Sequence, residues 1–353
     1  MALKLTYLVW LVGGLVLTLA TPIANSHQFS FPLPSRTLVQ MNQTDDFIEN
    51  IAVRGNGDLL VTLFHPSASV YTVRRPFSKF PTLSLVHTFQ DANSTTGITE
   101  TNPDTFVVAA AFMRGPATPC PNTTSFWELK FGREIQEVEA RRIMHAPQAG
   151  LINGIASIPG TQPAVLAADG LLGLISRVDV TTGRYEIVLD IPELKPVAGR
   201  PLYIGANGLK VQDGFVYWSN TGRVSLYRFR IDDKGYPIKG SDVEKVATVE
   251  GASGVDDFAF DKEGNIWVAT DINNTIVTIR KGGFQTVAVG STTELTVGGD
   301  TAVGFGRTLM DKHILYVTTA GGAAAPINGT IIEPGKIVAV DTTGITDSAE
   351  DNV

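Results

Sequence analysis

Polar and apolar positions along this chain fall into a phrase that comes round six times: a polar residue, an alternating apolar run, a turn, and a second apolar run. The copies read IENIAVRGNGDLLVT, TTGITETNPDTFVVAA, INGIASIPGTQPAVLAAD, ANGLKVQDGFVYWS, VDDFAFDKEGNIWVAT and DTAVGFGRTLMDKHILYVTT. Period-two alternation rich in Val, Ile, Thr and Tyr predicts strands, and no segment keeps helical spacing over three turns. A third strand and usually a fourth follow each phrase, such as SVYTVRR and LSLVHTF after the first. Aligning the phrases puts Glu49, Thr96, Asn153, Asn207, Asp256 and Thr301 in one column, with steps of 45 to 57 residues, the spacing of propeller blades. The expected fold is all-β, a six-bladed β-propeller with that column facing a central channel.

Turn chemistry agrees with this reading. Gly55-Asn56-Gly57, Asp213-Gly214 and Lys262-Glu263-Gly264 are tight links between first and second strands, and Thr182-Gly183 links a third to a fourth. All of them fall on one face, the bottom. Only one strand, KIVAVDT, follows the last phrase, while RTLVQM before the first phrase has no partner. We therefore expect strands from both termini to share blade six, which removes the open edges of a linear array. The propeller is expected over residues 36–345, after a signal peptide (1–20) and an N-terminal segment (21–35), with a polar tail at 346–353.

Composition narrows the partners. A net charge of -7 argues against a sequence-independent grip on nucleic acid. The N-terminus has one basic residue, Lys4, an apolar stretch from Leu5 to Ala20 and then Thr21-Pro22, a secretory layout with cleavage expected after Ala20. That stretch is shorter than the ~20 residues that span a bilayer, and no second one follows, so no membrane partner is expected once it is removed. Sequons at Asn42, Asn93, Asn122, Asn273 and Asn328 fit the same route. Cys120 stands alone, so no intrachain disulfide is available.

The column supplies the candidate chemistry. Two carboxylates and two amides, Glu49, Asp256, Asn153 and Asn207, converging on one axis would repel or go unsatisfied unless a cation or ordered water bridged them. Calcium accepts mixed oxygen ligands, whereas zinc would want His or Cys, which the column lacks. Thr96 and Thr301 read as turn caps. The far ends of the second strands reach the same opening and place His65, Arg114, Asp169, Asn220 and Asp271 in an outer ring. Tyr203, Trp218 and His65 are candidate walls for a substrate. No Gly-x-Ser-x-Gly elbow, His-Glu-x-x-His, P-loop or Gly-x-Gly-x-x-Gly is present.

These residues resemble the regucalcin and gluconolactonase family of six-bladed propellers, through the Glu49 strand, Ala206-Asn207-Gly208 and Gly254-Val255-Asp256. The resemblance implies one divalent metal at the channel top, held by Glu49, Asn207 and Asp256, with Asn153 near a ligand position and Asp256 or a water it activates moving the proton. The flanks differ: Glu-Gly-Pro of the family is Glu49-Asn50-Ile51 here, and Pro-Asp-Gly is Val255-Asp256-Asp257, which puts lactonase activity in doubt more than metal binding. The GITET and TAVGFGR phrases and sequon-rich loops look closer to fungal secondary-metabolism propellers resembling hetero-Diels–Alderases, which join a tropolone-derived quinone methide to a humulene-type alkene.

Three functions stay open at this stage. A pericyclase would need orientation and a polarised oxygen rather than a nucleophile, with Asp256, Asp257 or a bound cation promoting diene formation. A calcium-dependent lactonase or esterase would use the metal to polarise a carbonyl and Asp256 to position water. A noncatalytic propeller would bind a protein or glycan, although sequons on the top loops would fence the mouth and leave a small molecule as the easier ligand.

Overall fold

The computed structural model describes residues 31–115, 117–132, 137–160 and 163–346. Within them the chain forms six four-stranded antiparallel sheets. Blade one holds β2–β5 (Phe47–Val53, Leu59–His65, Ser69–Arg74, Thr82–Thr88) and blade two β6–β9 (Ser94–Asn102, Thr105–Ala111, Ser125–Phe131, Val138–His145). Blade three holds β10–β13 (Ile152–Ser157, Ala164–Asp169, Leu174–Asp179, Tyr185–Leu189) and blade four β14–β17 (Ala206–Gln212, Phe215–Asn220, Ser225–Arg230, Glu244–Thr248). Blade five holds β18–β21 (Phe258–Phe260, Ile266–Ala269, Thr275–Ile279, Gln285–Gly290). Blade six combines β22–β24 (Asp300–Phe305, Ile314–Thr319, Lys336–Asp341) with β1 (Ser35–Gln40) as its outer strand. The expected closure by both termini is present: β1 pairs antiparallel with β24, from Ser35 opposite Val340 to Gln40 opposite Lys336. The predicted signal peptide, residues 21–30 of the expected N-terminal segment and residues 347–353 of the polar tail lie outside the described residues. Among the described residues no helix is long and apolar enough to cross a membrane.

Burial follows position in the blade. Second strands lie between neighbouring sheets and are buried along their length, as in β7 and β15, so their sequences are continuous apolar runs. Outer strands such as β5 and β9 are only partly covered and carry mixed residues. Apolar side chains gather into six clusters, each between two adjacent blades. The seam between blades six and one, built from residues such as Ile48, Val61, Tyr316 and Ile337, is filled like the other five. The blades are thus locked into a ring by burial on both faces of each sheet.

Sequence-predicted turns sit where expected. Asp213 and Gly214 both take positive φ between β14 and β15, the backbone a two-residue hairpin requires. The Asp261 carboxylate closes the β18–β19 turn, accepting from the Glu263 and Asn265 backbone amides and the Trp267 indole. That segment is a bottom-face staple, as its place between two strands implies.

Candidate active site

Five of the six column residues sit where the inner strands bulge, and Asp256 stands just before β18. Ladder register slips between Ile48 and Asn50, Thr95 and Ile98, Ile152 and Ile155, Ala206 and Leu209, and Asp300 and Ala302. Each slip brackets a column residue, and a bulge of this kind re-aims a side chain. The bulge also frees a backbone N–H, which in three blades donates to a hydroxyl on the second strand. Asn50 N–H bonds Thr62 Oγ1 at 3.0 Å, Gly208 N–H bonds Ser219 Oγ at 2.8 Å and Ala302 N–H bonds Thr318 Oγ1 at 3.1 Å. Ser219 Oγ then donates to the Asp256 carbonyl at 2.5 Å, so blade four fixes the backbone of the blade-five carboxylate.

Close approach of the inner strands explains the glycines after the column. A Cβ on Gly154 would lie 2.5 Å from the Asn207 carbonyl oxygen, and one on Gly208 would lie 2.4 Å from Asp257 Oδ1. Blades one and five carry Asn50 and Asp257 at this position instead, and these side chains fill the space below the mouth. Asn50 Nδ2 reaches Asp257 Oδ2 at 3.4 Å, and Lys210 Nζ pairs with Asp257 Oδ1 at 2.5 Å.

Above this layer the sequence-predicted carboxylates come together. Glu49, Asp256 and Asp271 are 5%, 9% and 8% exposed, so they border the channel without being sealed from it. Burial, reinforced by the charges of Asp271 and Asp257, pushes Glu49 up to about 8, while a hydrogen bond from the Asn153 amide opposes the rise. Burial and then the Glu49 charge hold Asp256 well above the carboxylate range. Burial pushes Asp271 up to about 7. The site therefore retains carboxylic acid protons near neutral pH, the condition for a carboxyl to act as a general acid.

Asn207 donates from Nδ2 to Thr221 Oγ1 at 2.9 Å, which fixes its amide and leaves Oδ1 buried without a partner. Asp271 Oδ1 is likewise buried without one. Among the described residues no three His, Cys, Asp or Glu side chains form a metal-holding group by themselves. A cation here would need the amides, and an orphaned amide oxygen beside crowded carboxylates is a donor set that fits calcium.

Other expected site residues separate. Trp218 is not a wall of the mouth: it is fully buried between blades three and four, stacked on Tyr227 at 5.7 Å, with its indole N–H on the Glu193 carbonyl. Its ring belongs to the continuous apolar run of β15, and that run faces the core. Asp257, expected to share proton transfer, is committed to Lys210 and Asn50 beneath the mouth. In the outer ring, Asp169 accepts from the backbone amides of Gly150, Leu151, Leu171 and Leu172, and Asn220 donates to the Glu193 and Lys195 carbonyls; both are loop staples. His65 is exposed at the top end of β3, with Nδ1 at 3.1 Å from the Asp45 carbonyl oxygen, Tyr203 is exposed on a top-face loop, and Arg114 is exposed as well. Thr301 does not cap a turn: it lies in β22 and donates to the Ile48 carbonyl of blade one at 2.8 Å, a link between inner strands.

Two residues were missed. Lys210 is one, and its signal was present in the phrase: the aligned positions elsewhere are Ala52, Thr99, Ala156, Ala259 and Gly304, so only blade four sends a long side chain up the channel. Asp300 is the other, fully buried where five blades carry Ile, Thr, Ile, Ala and Val. Its Oδ1 accepts from Thr270 N–H at 2.5 Å and Asp271 N–H at 3.1 Å, which holds Asp271 at a φ of 50° with its carboxyl toward the cluster.

A polar cleft of about 470 Å³ lies on the opposite face, lined by Asn56, Glu100, Asp104 and Arg307. It holds none of the protonated carboxyls, and Arg307 is already paired with Glu100.

Fold and site together define a six-bladed propeller with an acidic, amide-flanked channel mouth. The same architecture occurs in a solved structure described as a calcium-binding protein, regucalcin, from Agrobacterium tumefaciens, which is 14% identical, with a TM-score of 0.56 over 88% of this chain and 94% of that one. No family model matches the sequence. Two curated relatives do: a protein of Phoma sp named "Putative hetero-Diels-Alderase", 34% identical over 86% of this chain and 90% of its own length, and "Putative hetero-Diels-Alderase asR5" of Sarocladium schorii, 31% identical over 89% and 84%. The chain belongs to the family these two proteins represent.

Proposed function

We propose that this protein is a secretory-pathway propeller enzyme of fungal secondary metabolism, a hetero-Diels–Alderase that joins a tropolone-type quinone methide to a humulene-type sesquiterpene. The observation that carries the reading is near full-length similarity to the two relatives combined with a mouth that gathers buried, crowded carboxyls beside amides. In the cycloaddition the four-atom O=C–C=C unit of the quinone methide and the two alkene carbons form one C–C and one C–O bond, with no group lost and no oxidant needed. Catalysis then rests on holding two partners in register, and orientation alone supplies a large part of such a barrier. Glu49 or Asp256 in its acid form would protonate a departing hydroxyl to release water, the ring O–H of the precursor would return a proton to the carboxylate as the quinone methide forms, and the acid so regenerated would hydrogen-bond the carbonyl oxygen of the diene. Exposed Leu172, Tyr203 and Ile331 on the mouth face give an apolar alkene a surface to rest against.

With these carboxyls ionised instead, Glu49, Asn153, Asn207 and Asp256 would hold one calcium ion, which when bound would polarise that oxygen in place of the acid proton. Asn42, Asn93, Asn122, Asn273 and Asn328 all lie on top-face loops, and glycans there would keep large partners from the mouth. The test is incubation with a tropolone-type quinone methide precursor and humulenol, scoring adduct yield and enantiomeric excess against buffer. Enriched single-enantiomer adduct is expected; racemic adduct at the buffer rate would reject the reading. The orphaned Asn207 oxygen keeps a calcium-dependent lactonase as the second reading, and chelator-sensitive lactone hydrolysis abolished by Asp256→Asn would favour it.

A further inference from the structure

The bottom faces of blades five, six and one share a composition that the channel chemistry does not use. Their loops end in exposed apolar side chains: Phe284 (68% exposed) after β20, Leu309 (86%) and Met310 (67%) after β22, and Phe80 (72%) with Phe77 after β4. Exposing these costs hydrophobic free energy that a polar residue in each loop would avoid. Cations stand beside them. The segments 75–81, 280–284 and 306–313 hold six Lys or Arg, of which Arg307 is paired with Glu100, and one acid, in a chain of net charge -7. That acid, Asp311, is buried and accepts from Tyr316 Oη at 2.8 Å and Thr308 Oγ1 at 2.6 Å, so it presents no charge outward. Lys79 Nζ sits 5.4 Å from the centre of the Phe80 ring.

The loops of blades six and one form a common surface. A Cβ on Gly57 would lie 2.9 Å from Thr308 and 3.5 Å from Phe77, so the two loops close on the Gly57 turn from either side. Arg36 on the neighbouring β1 donates to the Pro76 and Ser78 carbonyls and pins the second loop. All five sequons fall on the opposite face, which leaves this one open whatever their occupancy.

We infer that this basic, apolar-tipped face docks on an anionic lipid bilayer. Apolar tips enter the interfacial region while the flanking cations meet lipid headgroups, the two contributions that set interfacial binding. A second copy of the chain is the poorer occupant, because a two-fold contact would oppose one basic patch to another. The inference adds a peripheral membrane contact where the sequence led us to expect no membrane partner, and it is independent of the cycloaddition.

The test is co-sedimentation of the secreted chain with phosphatidylcholine vesicles, with and without about one-third phosphatidylserine. Variants Phe80→Ala/Leu309→Ala and Lys79→Glu/Lys312→Glu are compared with the parent, and all share its N-terminus, so differences report the patch alone. Binding is expected on the anionic vesicles, weakened about tenfold or more by either double variant and by added salt, with melting temperature unchanged. Equal binding by parent and variants, or none by the parent, overturns the inference. So does a parent dimer that Phe80→Ala/Leu309→Ala dissolves, which would assign the face to a second copy.

Discussion

At the scale of single residues, the mouth is governed by carboxyls that hold protons. Glu49 rises from the usual 4.5 to about 8 and Asp271 from 3.8 to about 7. Between the unfolded and folded values the folded chain binds more protons than the unfolded one, so stability is full at low pH, declines as these groups ionise, and levels off above about pH 8. With divalent cations chelated, the melting temperature should be several degrees lower at about pH 8 than at about pH 5. Added calcium should raise the alkaline value more than the acidic one, because it binds the ionised form. A melting temperature that does not change with pH in chelator would contradict the assigned protonation. Lys210 gives a second test, since its removal leaves the Asp257 carboxylate buried and unpaired. Lys210→Met should cost about 2 kcal/mol in urea unfolding, and adding Asp257→Asn should recover most of it. Both residues could be located from sequence, but their pairing could not: it joins positions 47 apart through strand approach that no local pattern records.

At the scale of elements, the bulge at the start of five of the six inner strands converts a repeating phrase into a site. The alternating pattern identified the strands, and the hairpin chemistry of Asp213-Gly214 placed their turns. It did not separate Trp218 from the mouth, because period-two alternation breaks down in a strand buried on both faces. Nor did it disclose why Gly208 follows Asn207. Gly208→Ala would drive a Cβ to 2.6 Å from the Asp257 Cα, a backbone atom with no freedom to give. A loss of about 2 to 3 kcal/mol is expected from such overpacking, with a weakened Lys210–Asp257 pair. Gly55→Ala is the control, since nothing lies within 4 Å of its Cβ position and its effect should stay within about 0.5 kcal/mol. Equal denaturation midpoints for the two variants would mean that the blades are not spaced by these glycines.

At the scale of the whole molecule, function depends on a ring whose first and last strands come from opposite ends of the chain. Glu49 in blade one and Asp256 in blade five can share a mouth only while blades six and one stay together. Two things hold that seam: the apolar cluster between the sheets, and the β1–β24 ladder that continues into a bond from Asp341 N–H to the Pro34 carbonyl at 2.9 Å. Removing residues 21–41 should strip the edge of β24 and leave a long unpaired strand, a template for association between chains. The ladder geometry also supplies the rescue. Asp341 and Pro34 are already neighbours, so a short linker between them, with new termini opened in the 41–46 loop, would make blade six one continuous sheet and keep every contact of β1. Light scattering should report oligomers for the truncated chain and a monomer with near-parental stability for the permuted one. A truncated chain that stays monomeric with an unchanged melting temperature would show that sheet-on-sheet burial alone closes the ring, and the terminal strand would then be dispensable to the geometry of the mouth.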